Sequence, residues 1–264
     1  MSIIKKFLVE LEKESLTYSR KQKYVFMFKE LKKLKVNPAK MMQKDADKYF
    51  FYLLKSSYAD ETKLTKWKCF KRFCRFSKFK IELQHRIKVK ERIPEILTHE
   101  EIGRIVTSTI NQRYRLLFIL LYETGCRIGE LLNLTKENIF FDDYGALIYL
   151  NGKTGVRPVR IIFSAKPLRK FLESNGASSR IFDFSNEFIN RILKRSAALA
   201  GVSKKIHCHL FRHTRATELS NFLTDREMCL YFGWARNSNM PSYYSHLSFR
   251  DLDKKILELN GVGG

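Results

Sequence analysis

Three histidines crowd one short stretch, HCHLFRHTRATEL at residues 207–219, where His207, His209 and His213 stand around Cys208 and Arg212. The side chains fit a metal site, a patch of helix core, or a clamp for an anion. A zinc site could use His209 and His213, but no glutamate follows His209 in an HExxH arrangement, and no cysteine pair elsewhere completes a tetrahedral set. Helical spacing puts His209 and Arg212 on one face, an imidazole beside a guanidinium fork, and that pairing suits a phosphate oxygen. His213 falls on a neighbouring face and reads as a satisfied core histidine.

Other chemistry-bearing residues are scattered along the chain. LLFILLYETGCRIGELLNL reads as a buried helix stopped at Gly125 and a second helix beginning near Arg127, with Arg127 and Glu130 a turn apart. An arginine in a first helical turn opposes the macrodipole unless an anion comes to meet it. The plainer alternative is a surface ion pair of little worth. Lys153 sits at the tip of NGKTG, either as an ordinary exposed loop lysine or as a mobile general acid carried on a hairpin. Near the end, the indole N–H of Trp234 precedes the pair Tyr243–Tyr244 by a short loop containing Pro241.

These residues must be positioned by a chain of 264 residues, 44% hydrophobic and 29% charged, enough to bury a core in one large domain or two modest ones. Its formal net charge of +23 favours phosphate polyanions or anionic membranes as partners. The membrane option is weak, because the longest apolar run, Leu116 to Tyr122, is far short of the roughly 20 residues a span needs. The opening MSIIKKFLVELEKE turns to charge too early for a signal peptide. Five cysteines without a CxxC pair suggest reduced thiols inside a cell.

Residues 1–93 carry 26 Lys and Arg against 10 Asp and Glu, a balance of +16, and residues 94–264 carry 24 against 17, or +7. Pro94 disfavours helix at Ile93, and Thr98 with Glu101 forms a capping box that opens a new helix. The seam therefore falls near residues 86–97, giving a domain over 1–90, a linker at 91–97 and a second domain over 98–264. The first reads as all helix. In TKLTKWKCFKRFCRFSKFK the apolar Leu64, Trp67, Phe70, Phe73 and Cys74 recur at helical spacing. Lys63, Lys66, Lys71, Arg72 and Arg75 fall largely between them, as a phosphate-tracking face or a merely solvated one. The second domain has helical patterns at residues 98–137 and from about 185 onward. Between them, NIFFDDYGALIYLNGKTGVRPVRIIF reads as consecutive hairpins.

Taken in order, the motifs TGCRIGELLNL, NGKTG, HLFRH and MPSYYSHLS resemble those of the tyrosine recombinase (phage integrase) family, which includes the Xer recombinases. The resemblance covers nearly the whole chain, and its ending looks most like integrases of archaeal viruses and plasmids. Many members have histidine where this chain has Trp234, and tryptophan is an accepted alternative.

The resemblance implies a mainly α fold of two domains. An N-terminal helical core-binding (SAM-like) domain would precede an α+β catalytic domain with a small antiparallel sheet of about three strands. It also implies roles. Arg127 and Arg212 would hold the scissile phosphate, Trp234 would add a hydrogen bond, and Lys153 would protonate the leaving 5′ oxygen. His209 would assist proton transfer at the attacking side, Glu130 would orient the set, and Tyr244 would attack phosphorus to leave a 3′-phosphotyrosyl link. Tyr244 is preferred over Tyr243 because Tyr244-Ser245-His246 matches the family's order of tyrosine, small residue, histidine. No nucleotide cofactor and no metal are implied. The implied partners are a double-stranded DNA recombination site and three further copies of the chain, with a helix in HLSFRDLDKKILEL docking on a neighbour. The implied setting is the cytoplasm, at the nucleoid. Integration or excision of a mobile element leads the functional readings. The alternatives are Xer-type resolution of chromosome dimers, a type IB topoisomerase-like nicking and closing enzyme, and a non-catalytic DNA-binding protein.

Overall fold

The computed structural model describes residues 2–14, 16–89, 95–174, 180–244, 256–257 and 259–261. The chain divides into two compact units, Met1–Arg92 and Ile93–Gly264. The linker expected at 91–97 lies partly outside the described residues, as does most of the C-terminal helix expected over HLSFRDLDKKILEL.

The first unit holds four helices, α1 (Ile3–Lys13), α2 (Tyr18–Lys33), α3 (Gln43–Lys55) and α4 (Asp60–Phe76). The stripe read in α4 is its buried face: Trp67, Phe70, Phe73 and Cys74 pack with Phe7, Met27, Leu31, Tyr49 and Leu53. One charge lies inside. The buried Glu30 carboxylate of α2 accepts hydrogen bonds from Tyr49 at 2.9 Å, Tyr58 at 3.0 Å and Lys66 at 2.7 Å, so two helices and the loop between them converge on it.

In the second unit, the capping box at Thr98 and Glu101 forms in both directions and opens α5 (His99–Ser108). Then follow α6 (Gln112–Thr124), α7 (Ile128–Leu132), strands β1 (Ile139–Asp142), β2 (Gly145–Gly152) and β3 (Gly155–Ile161), and α8 (Ala165–Ser174). The chain continues through α9 (Asn186–Leu199), α10 (Cys208–Leu219), α11 (Asp225–Phe232) and α12 (Met240–Tyr244). The three strands form an antiparallel sheet in the order β1-β2-β3, with Gly152 opposite Gly155 at the NGKTG hairpin. The inward rows Ala146, Ile148, Leu150 and Val159, Ile161 join Phe118, Leu121, Leu193 and Phe211 in one core. The fold is thus mainly α with a three-stranded antiparallel sheet, as expected.

Helix α8 was not expected. Pro167 stands in its first turn, where the ring is tolerated but blurs the sequence pattern. Its entry is fixed from a distance, since the buried Glu123 carboxylate of α6 accepts the backbone N–H groups of Phe163 at 3.1 Å and Ser164 at 3.0 Å. Among the described residues, no helix is long and apolar enough to cross a membrane.

Candidate active site

Helix α10 carries His209, Arg212 and His213. His207 sits extended at its N-terminus, and the side chain of Asn190 accepts the N–H of Cys208 at 3.0 Å, anchoring the first turn. One face buries Cys208, Phe211 and Ala216, with Phe211 stacked on Phe118 of α6. Arg212 shares that face and is only 1% exposed, a charge that needs compensation inside the protein.

Two helix ends supply it. Helices α6 and α11 both stop at glycines in the left-handed conformation, Gly125 (φ 57°) and Gly233 (φ 58°). The carbonyls left unpaired at helix C-termini carry the negative end of the dipole. Arg212 donates to Gly125 O at 2.9 Å and to Phe232 O at 2.7 Å, and its guanidinium lies over the Phe232 and Trp234 rings. Burial first, then the charge of Arg127, lowers its pKa to about 10, so it remains a cation at neutral pH.

Arg127 caps α7. Its guanidinium donates to Glu130 Oε1 at 2.7 Å while its backbone N–H donates to Oε2 at 3.0 Å. Glu130 is buried, so this is not the weak surface pair of the plainer alternative. A third arginine completes the arrangement. Arg157 on β3 donates to Glu130 Oε2 at 2.7 Å and to Tyr231 O at 2.8 Å, while its Nη1 is buried without a hydrogen-bond partner among the described residues. Burial pushes the Glu130 carboxyl up, but the hydrogen bonds and charge of Arg157, then Arg127, hold it net below its ordinary value. Two guanidinium groups thus hold one carboxylate, and Arg212 lies within electrostatic reach of all three, leaving a surplus of positive charge beside a partly exposed Arg127. An anion is the natural complement.

Tyr244 ends α12. It is 3% exposed and packs with Ala216, Met228 and Phe232 in a small apolar cluster of its own. Its ring stacks on Trp234 with centroids 5.6 Å apart and planes within 3°, and Trp234 stacks in turn on Phe232. Its hydroxyl lies 2.7 Å from His213 Nδ1. His213 was expected to be a core histidine. It is instead half-buried and turned onto the tyrosine, with its ring 4.5 Å from that of His209. Burial pushes the Tyr244 hydroxyl up to about 12, the charge of Arg212 opposing. Tyr243 meets the Tyr244 ring edge-on at 5.2 Å.

The remaining expected residues sit nearby or apart. His209 is exposed on α10; desolvation, then the charges of His213, Arg212 and His207, hold its imidazole below its ordinary value. Lys153 is exposed in the β2–β3 turn, which is tied to the site because Thr154 Oγ1 donates to Gly233 O at 3.0 Å. Among the described residues, no three His, Cys, Asp or Glu side chains are placed to hold a metal ion. In the first unit, Lys66 is committed to buried Glu30, Lys63 to Asp60 and Arg72 to Glu14. Lys71 lies over the Trp67 ring, and Arg75 is exposed.

Sequence reasoning missed Arg157. The signal was present: in strand β3, residues 157, 159 and 161 share the inward row, so an arginine there has to find a buried partner.

The family model described as the phage integrase family matches residues 95–250. A tyrosine recombinase of Pseudothermotoga lettingae is 31% identical over 140 residues, covering 50% of this chain and 49% of its own. The tyrosine recombinase XerA of Thermococcus kodakarensis is 32% identical over 148 residues, covering 50% of this chain and 51% of its own. The chain spans about half the length of these curated relatives. The Tn1549 transposon integrase, solved in complex with transposon right end DNA, superposes with a TM-score of 0.79 at 14% identity over 98% of this chain and 100% of the other, a likeness of fold. The family match encloses every element from α5 to α12, including the arginines, the histidine pair and the tyrosine described above, and the chain belongs to the phage integrase family.

Proposed function

We propose that this chain is a site-specific DNA recombinase that cleaves and rejoins strands through a 3′-phosphotyrosyl intermediate. One observation carries the reading: Tyr244 stacks on Trp234, the Arg212 guanidinium lies over that same ring with its charge reaching the tyrosine hydroxyl, and Arg127 and Arg157 outnumber the one carboxylate between them. Arg127 and Arg212 would grip the nonbridging oxygens of a phosphate and stabilise the charge of its transition state. Trp234 would add a neutral donor, Lys153 would bring a proton to the leaving 5′ oxygen from the β2–β3 turn, and His209 would assist proton transfer. Glu130, between Arg127 and Arg157, orients the clamp. Attack by Tyr244 exchanges one phosphoester for another, so the chemistry needs no nucleotide cofactor, and the arginines take the electrostatic part a metal plays elsewhere.

The basic unit Met1–Arg92 would serve as the core-binding domain on double-stranded DNA. Strand exchange would use four copies of the chain, with the C-terminal segment docking on a neighbour, in the cytoplasm at the nucleoid. Integration or excision of a mobile element remains the leading role, supported by the fold likeness to a transposon integrase. Xer-type resolution is the second reading, favoured by the XerA name of a relative. The test is covalent capture. Wild-type protein is incubated with a random-sequence pool of nicked duplexes, and denaturant-resistant protein–DNA adducts are recovered and sequenced. Adducts converging on one site support the reading, and none forming overturns it. Joining of two duplexes bearing that site separates recombination from simple nicking and closing.

A further inference from the structure

We propose that His213 is a catalytic residue of the cleavage step, the base that takes the proton from the Tyr244 hydroxyl as it attacks phosphorus. The inference rests on the recombinase reading above and assigns a role that reading left to His209. The geometry separates the two histidines. His213 Nδ1 lies 2.7 Å from Tyr244 Oη, a hydrogen-bond distance, whereas His209 is exposed, with its ring 4.5 Å from that of His213. A base must stand within hydrogen-bond reach of the proton it removes, and His213 meets that condition before any substrate arrives.

The environment supplies both the need and the means. A tyrosine raised to about 12 is almost wholly protonated at neutral pH and attacks slowly unless its proton has somewhere to go. His213 is held below its ordinary value of 6.5 by burial, then by His207 and Arg212, so it is neutral at pH 7 and Nδ1 is free to accept. Among the described residues, the charged and titratable groups around it are His207, His209 and Arg212 from its own helix and Tyr244 from α12. The step balances. The Oη–H bond breaks and its proton moves to Nδ1, the Oη–P bond forms, the P–O5′ bond breaks, and the leaving oxygen takes a proton from the general acid. In rejoining, His213 returns its proton to Tyr244.

The test uses the captured nicked duplex and full-length protein, reading the rate of adduct formation against pH alongside DNA binding. Wild type should show an acid limb below pH 6.5, where His213 protonates. His213→Asn keeps a hydrogen-bond acceptor near Tyr244 but cannot titrate there. It should bind DNA as wild type does, form adduct about 10²–10⁴-fold more slowly, and lose the limb. In His213→Ala, added imidazole should restore part of the rate. A wild-type profile with no acid limb, or an Asn variant that forms adduct at the wild-type rate, would overturn the role of His213 while leaving Tyr244 as nucleophile. Failure of wild type to form any adduct would instead overturn the recombinase reading and this inference with it.

Discussion

Arg127 and Arg157 hold opposite oxygens of one buried carboxylate, each at 2.7 Å from Glu130. The two arginines come from the start of α7 and from strand β3, so the ion pair joins the helical layer to the sheet at the mouth of the site. Removing Arg157 leaves a buried charge short of a partner, and such losses cost about 3–5 kcal/mol. Arg157→Ala should therefore unfold at lower urea concentration and, because Glu130 would pivot, cleave DNA more slowly. Wild-type stability for this variant would mean that Glu130 is content with Arg127 alone.

The same carboxylate sets an acid threshold. Its folded pKa lies below its ordinary 4.5, so its stabilising contribution is complete above pH 4.5 and is lost as pH falls through the lowered folded value. Glu130→Gln should flatten the stability–pH curve in that window and leave the neutral range untouched by titration, which urea melts across pH would show.

Gly125→Ala addresses the helix ends that hold Arg212. At φ 57° an alanine is strained, and its Cβ would stand 2.5 Å from the Phe232 ring. The expected loss is roughly 1–3 kcal/mol, with slower cleavage because Gly125 O and Phe232 O would no longer cradle the guanidinium. Gly103→Ala, at a helical position where an added Cβ would meet nothing within 4 Å beyond the adjoining residues and helix backbone, is the control and should be neutral or slightly stabilising. Equal behaviour of the two variants in thermal melts would contradict the account.

The basic face of the first unit divides by partner. Replacing Lys71 and Arg75 with glutamine should weaken binding to all DNA sequences and flatten the salt slope by about 1 unit per residue. Lys66→Gln should act mainly on stability, since it strips the buried Glu30 of its cation. A salt slope unchanged by the first pair would make that face merely solvated.

What could be read from the sequence was what local spacing determines. The capping box at Thr98 and Glu101, the NGKTG hairpin and the stripe of α4 each lie within one or two turns of chain, and all three formed. Arg127, Arg212 and Tyr244 were legible as motifs, and folding brings their elements together. The misses are long-range. Arg157 finds Glu130 across 27 residues and Tyr231 across 74, Lys66 finds Glu30 across 36, and Glu123 fixes the entry of α8 from 40 residues away. No periodicity encodes such a pairing; only an arginine on an inward strand row or a carboxylate inside an apolar helix hints that a partner must exist. His213 was misplaced for a related reason, because helical spacing assigns it a face but cannot say that Tyr244 will cover it.

Arg212→Ala tests the clamp itself. Because Arg212 is buried against helix ends rather than spread on the surface, its loss should spare duplex binding and slow cleavage by about 10²–10³-fold. Binding and cleavage that fell together would make it a docking residue.

The proposed recombinase chemistry puts the DNA on Tyr244 rather than on its neighbour. Tyr243 and Tyr244 are neighbours whose rings stand edge-on, and Tyr244 is stacked on Trp234. Adjacent residues on a helix point about 100° apart, so both hydroxyls cannot address one phosphorus from a fixed backbone. Peptide mapping of the covalent adduct, trapped on the captured nicked duplex and digested to nucleotide-modified peptides, decides between them. The account predicts the modification on Tyr244, with Tyr244→Phe binding DNA but forming no adduct and Tyr243→Phe keeping most of its cleavage. DNA attached to Tyr243, or an adduct that survives Tyr244→Phe, would contradict it.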